Sequence, residues 1–246
     1  MTSLPYLLLT GASSGVGNSL VHHLSRDFHV LAAARRREKM EKEFAGLDSV
    51  TCYSVDLSER TEVDNFLRQV RDEHGPILYL INNAGVNING SIREVNMEKV
   101  EYSMSVNAYA PLQLMKGVLR DMVEHKFGRI INVTSGAPLN CFADYASYSS
   151  SKAALNALTV TAAREYRGEN IKINLMSPGP VQTEMAPNAS MDPSVCHDTV
   201  DYLLSLENDG PTGRFFWLGY EIPIFPDLEG VEWLDGKASD KYKKVL

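Results

Sequence analysis

The chain has 246 residues, of which 44% are apolar and 22% charged, a balance that excludes disordered and fibrous proteins. A net charge of −7 predicts no general attraction to nucleic acid or to an anionic membrane surface. The length suits a single α/β domain. We therefore expect one domain over residues 1–246, with an irregular tail from about Tyr220, where Pro, Gly and charged residues follow no clear period.

Seven short apolar runs alternate with longer amphipathic stretches. Such runs predict strands that are buried on both faces of a parallel sheet. The predicted strands begin near residues 6, 29, 50, 77, 129, 171 and 213. Helices are predicted over residues 17–25, 60–73, 97–125 and 147–166, and from near residue 194. This alternation predicts a doubly wound Rossmann fold with about seven parallel strands and helices on both faces of the sheet.

The first predicted strand leads directly into TGASSGVG, from Thr10 to Gly17. Glycines at Gly11, Gly15 and Gly17 permit a tight turn and allow backbone N–H groups to approach a pyrophosphate at the start of a helix. An ordinary glycine-rich turn is the alternative. The strand before the loop and the helix after it favour a dinucleotide site.

The second predicted strand ends in a run of arginines. A site that prefers NAD usually has an acidic residue here, whereas the 2′-phosphate of NADP requires cationic donors. The chain has Ala34 followed by Arg35 and Arg36, which predicts NADP(H), and Ser13 or Ser14 could add hydrogen bonds. The alternative is that the arginines only solvate the start of a helix.

The stretch YSSSK places Tyr148 and Lys152 one helical turn apart on the same face. A phenol with a pKa of ~10 exchanges protons poorly at neutral pH, and a nearby ammonium is expected to lower that pKa. The spacing therefore predicts an acid–base pair. Such a short motif also arises by chance on helix surfaces, so its weight depends on the rest of the chain.

Five motifs occur in the order and spacing of the short-chain dehydrogenase/reductase family: TGASSGVG, NNAG at residues 82–85, Ser135, YSSSK, and PGPVQT at residues 178–183. The chain resembles this family over roughly residues 5–220. The resemblance implies that Tyr148 exchanges a proton with the substrate oxygen and that Lys152 also holds the nicotinamide ribose. It further implies that Ser135 polarises the substrate carbonyl and that Asn107 positions a water for proton relay.

The resemblance and the motifs together give a set of expected cofactor-binding residues. Asp56 has two interpretations, because it could hold the adenine amino group or cap the following helix. The expected cofactor-binding residues are Gly11, Ser13, Ser14, Gly15, Val16, Gly17, Arg35, Arg36, Asp56, Leu57, Asn83, Ala84, Gly85, Tyr148, Lys152, Pro178, Gly179, Val181 and Thr183.

The substrate side of the expected site is short and apolar. Only about eight residues, MAPNASMD, separate PGPVQTE from the next predicted helix. So short a segment predicts an open pocket. In this respect the chain is similar to the carbonyl-reductase-like branch of the family. The apolar character favours an uncharged ketone or aldehyde. The expected wall residues are Val86, Ile88, Leu139, Phe142 and Met185.

Together these features predict an NADPH-dependent carbonyl reductase acting on a small-molecule carbonyl or alcohol. The alternative is an NADP(H)-binding redox sensor without turnover. Three cysteines without metal-ligand spacing, and no signal peptide or spanning segment, predict a cytoplasmic protein with no metal site. The resemblance also implies a possible homo-oligomer. We expect no nucleic-acid or membrane partner.

Overall fold

The apolar runs form the strands of one eight-stranded sheet in the computed structural model, which describes residues 4–226, 228–229, 231–232, 234–235 and 237–241. The strand order is β3-β2-β1-β4-β5-β6-β7-β8. Seven strands are parallel, as the sequence predicted, and β8 pairs antiparallel with β7 at the edge. The strands are β1 (Tyr6–Thr10), β2 (His29–Ala34), β3 (Val50–Ser54), β4 (Tyr79–Asn82), β5 (Gly128–Val133), β6 (Ile171–Ser177), β7 (Phe215–Trp217) and β8 (Tyr220–Ile222).

Helices cover both faces of the sheet, which explains why its strands are mostly apolar. Leu7 and Leu9 of β1 belong to one buried cluster, while Leu8 between them belongs to the cluster on the other face. This alternation follows from the two-residue period of a strand. The predicted Rossmann-type fold is confirmed. The helices are α1 (Gly15–Leu24), α2 (Arg37–Glu43), α3 (Arg60–His74), α4 (Met97–Met104), α5 (Ala110–Glu124), α6 (Ala137–Asn140), α7 (Ala146–Glu165) and α8 (His197–Leu204).

The helix predicted over residues 97–125 is divided in the structure. A π-helical turn, Ser105–Tyr109, lies between α4 and α5. Pro111, at the start of α5, has no N–H and cannot donate to the carbonyl of Asn107 four residues earlier. The loss of that α-helical hydrogen bond explains the wider turn, and π-turns within helices are frequent at functional sites.

The tail was predicted to be irregular from Tyr220, and this is wrong for its first residues. Leu218 and Gly219 both have positive φ, 48° and 80°, and turn the chain so that Tyr220 pairs with Trp217. Positive φ at both central residues is the geometry of a tight hairpin turn. A second short pair, β9 (Val231–Glu232) and β10 (Lys237–Ala238), follows.

The aromatic residues of the tail, Trp233 and Tyr242, also suggest from the sequence that the tail could fold back over the open site or onto a partner subunit. Both residues lie outside the described ones. Within the described part of the chain, no helix combines the length and the apolar character that crossing a membrane requires.

Candidate active site

A cavity of about 820 Å³ opens at the carboxyl ends of the strands. The chain order reverses between β1 and β4, which are neighbours in the sheet. The loops that follow β1 and β4 therefore diverge to opposite sides and leave a crevice, which is the usual place for a ligand in such a sheet. Residues that follow each of the first six strands line this cavity.

The glycine loop after β1 is packed against the end of β4. Gly11 has a φ of 72°, and a Cβ there would lie 2.7 Å from the Cα of Ala84. Asn83 fixes the two segments together, because its side-chain amide donates to the carbonyls of Thr10 and Gly11 at 3.0 and 3.3 Å. Only glycines permit this approach of two backbones.

Gly17 is the one residue of the expected loop set that does not line the cavity. A Cβ on Gly17 would collide with the carbonyl oxygen of Gly11 and would lie 2.5 Å from the amide nitrogen of Asn83. Its role is therefore close packing of α1 against the loop. Ser14 precedes α1 without a side-chain cap, so no side chain of its own occupies the N-terminus of this helix.

Side chains of opposite charge meet at the end of β2. The guanidinium of Arg36 donates to Ser13 Oγ at 3.1 and 3.2 Å and to Ser14 Oγ at 3.0 Å. It also forms an ion pair with Glu184 at 3.0 Å, and Lys39 pairs with the same carboxylate at 3.0 Å. The arginines thus do more than solvate a helix, since Arg36 holds both serines of the loop.

Arg35 and Asp56 also line the cavity. Arg35 donates to the hydroxyl of Tyr102 at 3.2 Å. Asp56 Oδ1 accepts from the backbone N–H and the hydroxyl of Ser58 at 2.9 and 2.7 Å, which is a turn-forming contact ahead of α3. Partial burial raises the pKa of Asp56, but the hydrogen bonds from Ser58 and the charge of Arg35 together hold it below its usual value.

Tyr148 and Lys152 project from α7 into the cavity, with the ammonium 6.0 Å from the centroid of the Tyr148 ring. Lys152 is only 3% exposed and donates to the carbonyl of Val133 at 2.8 Å. Burial lowers the pKa of Lys152 to about 8. The ammonium is therefore held by the end of β5 and does not bond directly to the phenol.

The expected lowering of the pKa of Tyr148 is not found. Burial raises this pKa above 10, and a hydrogen bond from Ser135 to the phenol oxygen opposes the rise only in part. Ser135 follows β5 and accepts from the N–H of Ala137 at 3.1 Å, which fixes its side chain beside the phenol. Loss of water around the phenol therefore decides the direction of the pKa shift, because the ammonium of Lys152 bonds to Val133 and not to the phenol.

Asn107 lies in the π-helical turn, fully buried, and it does not reach the cavity wall. Its amide accepts from the N–H of Val86 and donates to the carbonyl of Val86, both at 2.8 Å. The same amide donates to Ser151 Oγ at 2.9 Å. The side chain of Asn107 thus ties the segment after β4 to α7, the helix that carries Tyr148 and Lys152.

Three of the five expected apolar wall residues line the cavity: Val86, Phe142 and Met185. Ile88 and Leu139 do not. Leu139 is 39% exposed on the one-turn helix α6, and Ile88 lies in the loop beyond Val86. Phe142 and Met185 are 54% and 47% exposed, so this side of the cavity is open.

The remaining expected residues, Leu57, Gly85, Pro178, Gly179, Val181 and Thr183, with Val16 and Gly15, line the cavity. Several further wall residues were not among the expected ones, including Asn87, Tyr102, Tyr145 and Glu184. For Glu184 the sequence offered only its position directly after Thr183. Its partner Arg36 is 148 residues away, so the ion pair has no local signal. Among the described residues, no group of His, Cys, Asp and Glu side chains could hold a metal ion.

Comparison with known proteins gives the family. Residues 6–194 match the family described as short chain dehydrogenase. The chain is 31% identical to an Anopheles gambiae protein described as dehydrogenase/reductase SDR family protein 7-like, over 74% of this chain and 61% of that one. This chain therefore spans less than two thirds of that relative's length.

Two solved structures show the same architecture. A metagenomic short-chain oxidoreductase in complex with NADP is 28% identical, with a TM-score of 0.78 over 87% of this chain and 96% of that one. A 4-hydroxyisoleucine dehydrogenase complexed with NADH is 26% identical, with a TM-score of 0.78 over 87% and 96%. The match of residues 6–194, the insect relative and these structures agree: the chain belongs to the short-chain dehydrogenase family of oxidoreductases.

Proposed function

We propose that the protein is an NADPH-dependent reductase of ketones or aldehydes. The observation that carries this proposal is the convergence of Tyr148 and Ser135 on the same cavity as the glycine loop and the Arg36 cluster. A phenol and a hydroxyl can donate to a carbonyl oxygen during its reduction only where a hydride donor binds beside them. The free thiols of Cys52, Cys141 and Cys196 support a reducing compartment, the cytoplasm.

The residues that line the cavity fit a nicotinamide adenine dinucleotide phosphate. The glycine loop offers backbone to a pyrophosphate, and α1 begins there without a side-chain cap. Arg36, with Ser13 and Ser14, would hold a 2′-phosphate, because a guanidinium and two hydroxyls supply several donors to an anion. When bound, the cofactor supplies the hydride.

The proton would come from Tyr148. Its raised pKa keeps the phenol protonated at neutral pH, the form that donates to a carbonyl oxygen during reduction. Ser135, whose side chain lies beside the phenol, can turn its hydroxyl proton to the same substrate oxygen. The ammonium of Lys152, with a pKa of about 8, is mostly charged at neutral pH and would stabilise the phenolate that remains.

The same pKa bears on which direction is catalysed faster at neutral pH, although the equilibrium itself is set by substrate and cofactor. Oxidation of an alcohol starts from the phenolate, which the raised pKa of Tyr148 disfavours at neutral pH, whereas reduction starts from the phenol. The half-exposed apolar wall of Phe142 and Met185 suits an uncharged carbonyl compound. We therefore infer that the protein catalyses reduction faster than oxidation at neutral pH.

A screen of diverse ketones, aldehydes and alcohols with NADPH, NADH and their oxidised forms tests this function. We expect NADPH-dependent loss of absorbance at 340 nm with a subset of uncharged ketones or aldehydes. Tight NADPH binding without turnover of any compound would instead favour the redox sensor. Turnover restricted to alcohols at neutral pH would contradict the inferred direction.

A further inference from the structure

The carboxylate of Glu184 lies among the cations at the end of β2. Its Oε2 atom is 3.0 Å from Arg36 Nη2, and its Oε1 atom is 3.0 Å from Lys39 Nζ and 3.4 Å from Arg36 Nη1. Arg36 and Lys39 belong to the segment after β2, whereas Glu184 belongs to the segment after β6. The bridge therefore connects the end of β2 and the start of α2 with the segment after β6, across the crevice.

The carboxylate of Glu184 binds the guanidinium of Arg36, the group to which a cofactor phosphate would also bind. Arg36 bonds at once to Ser13, Ser14 and Glu184, so two hydroxyls and one carboxylate surround a single guanidinium. Hydrogen bonds from Arg36 and then from Lys39 hold the pKa of Glu184 below its usual range, which keeps it ionised at neutral pH. A phosphate bound to Arg36 and the serines would meet this negative charge at close range, and like charges repel.

The bridge can open without unfolding of its loop. The side chains of Arg36 and Glu184 are 47% and 57% exposed, so either can rotate into water. The turn that carries Glu184 is closed by its own backbone hydrogen bonds between Thr183 and Ala186, at 3.1 and 3.3 Å. Displacement of the carboxylate therefore costs only the exposed ion pairs, which are individually weak.

We propose that Glu184 is a specificity-determining residue that competes with the 2′-phosphate of the cofactor for Arg36. Binding of NADP(H) displaces the carboxylate, whereas binding of NAD(H), which has a 2′-hydroxyl, leaves the bridge in place. Glu184 thus moderates the preference for NADP(H) that the arginines create. This inference rests on the proposed use of a nicotinamide cofactor.

Equilibrium titrations of the full chain test the proposal with four ligands: NADPH, NADH, adenosine 2′,5′-bisphosphate and AMP. The variant is Glu184→Gln, and the control is Glu41→Gln, which removes an exposed carboxylate 2.7 Å from the neighbouring Arg37. In Glu184→Gln we expect the Kd for the two ligands with a 2′-phosphate to fall about threefold to tenfold, and the Kd for the other two to change less than about twofold. Glu41→Gln should leave all four within about twofold.

Salt provides a second readout, because competition between charges at the surface is screened. The gain in Glu184→Gln should shrink as ionic strength rises from ~0.01 M to ~1 M. Thermal unfolding of both variants without ligand verifies that each is folded. If Glu184→Gln does not fold, the titrations use Glu184→Ser, for which the same selective gain in affinity is expected.

The outcomes separate this inference from the proposed function. No change in any Kd, or an equal change for all four ligands, would overturn the role of Glu184. If the unmodified protein shows no preference for NADPH and Glu184→Gln acquires one, the proposed preference fails but the competition stands. A protein that binds none of the four ligands would refute both.

Discussion

The two ends of the cavity use charge in opposite ways. At the end of β2, Arg36, Lys39 and Glu184 are about half exposed and pair with one another. At the start of α7, Lys152 is buried, and the pKa values of Lys152 and Tyr148 are shifted chiefly by loss of water. Salt screens the interactions of exposed charges, whereas burial shifts the pH at which a group titrates. The first end therefore suits selection of a ligand, and the second suits transfer of a proton.

The largest effect is expected at the buried end. Tyr148→Phe removes the proton and little else, so turnover of an active ketone should fall about a hundredfold to ten-thousandfold. The Kd for NADPH should change less than about threefold. Steady-state kinetics and fluorescence titration measure the two quantities. Tyr166→Phe, at the far end of the same helix, is the matched control and should retain full turnover.

Retention of more than a few per cent of turnover in Tyr148→Phe would contradict the assignment of Tyr148 as the acid.

The next largest effect is expected at the exposed end. One or two charge-assisted contacts to a 2′-phosphate imply a preference for NADPH over NADH of about tenfold to a thousandfold. The double variant Ala34→Asp, Arg35→Ala should erase or reverse this preference, because a carboxylate repels the phosphate and accepts from ribose hydroxyls. Dissociation constants at low salt measure it.

Arg37→Ala is the control for that experiment, because Arg37 pairs with Glu41 along the surface of α2. It should keep the preference of the unmodified protein. Equal dissociation constants for NADPH and NADH in the unmodified protein would contradict the interpretation of the arginines.

A third prediction concerns the pH dependence of stability. Lys152 loses its proton near pH 8 when folded and near 10.5 when unfolded, so the unfolded chain binds more protons between these values. The free energy of unfolding of the unmodified protein should therefore rise by about 2–3 kcal/mol relative to Lys152→Met across this window. Urea unfolding at pH 7.5, 9 and 10 measures the difference.

A constant difference between the two proteins across these pH values would show that Lys152 titrates as it does in water. Above pH 10 the raised pKa of Tyr148 acts in the opposite sense, because the folded chain then holds the additional proton. The comparison is sharpest below that pH.

The smallest effect is expected outside the cavity. Ile222 of β8 packs with Val160, Leu175 and Phe215 at the edge of the sheet. Because the side chain is only partly buried, Ile222→Ala should lower the free energy of unfolding by about 1 kcal/mol. Cofactor affinity and turnover should not change. A large loss of cofactor affinity or of turnover would mean that β8 supports the cavity. The cavity could then not be described by its two charged ends alone.

Local patterns in the sequence were sufficient for the fold and for most of the site. The short apolar runs predicted the seven parallel strands, and the glycine spacing predicted a tight turn at the start of a helix. The packing of this loop against the end of β4 was not predicted. The spacing of Tyr148 and Lys152 predicted that both would face one cavity. These features depend on neighbours in the chain or on strand ends that any parallel sheet brings together.

Three further features could not be predicted in this way. The hairpin turn has Gly219 at its second central position but Leu218, in place of Asn, Asp or Gly, at its first, so the sequence did not indicate a hairpin there. The direction of the Tyr148 pKa depended on burial and on the bond from Lys152 to Val133, and neither follows from spacing. Ile88 and Leu139 are apolar and close in sequence to the cavity, yet the loops direct them away from its wall.

The sequence by itself determined which segments form strands, where the glycine loop lies and which phenol and ammonium share a helix face. Each of these features depends on the type and spacing of residues that are close in the chain. Only the tertiary structure decided which distant charges meet and which are removed from water. Glu184 reaches Arg36 across 148 residues of chain because the ends of β2 and β6 border the same crevice. The energy of a charge depends on its partners and on the surrounding dielectric, and both are properties of the folded molecule.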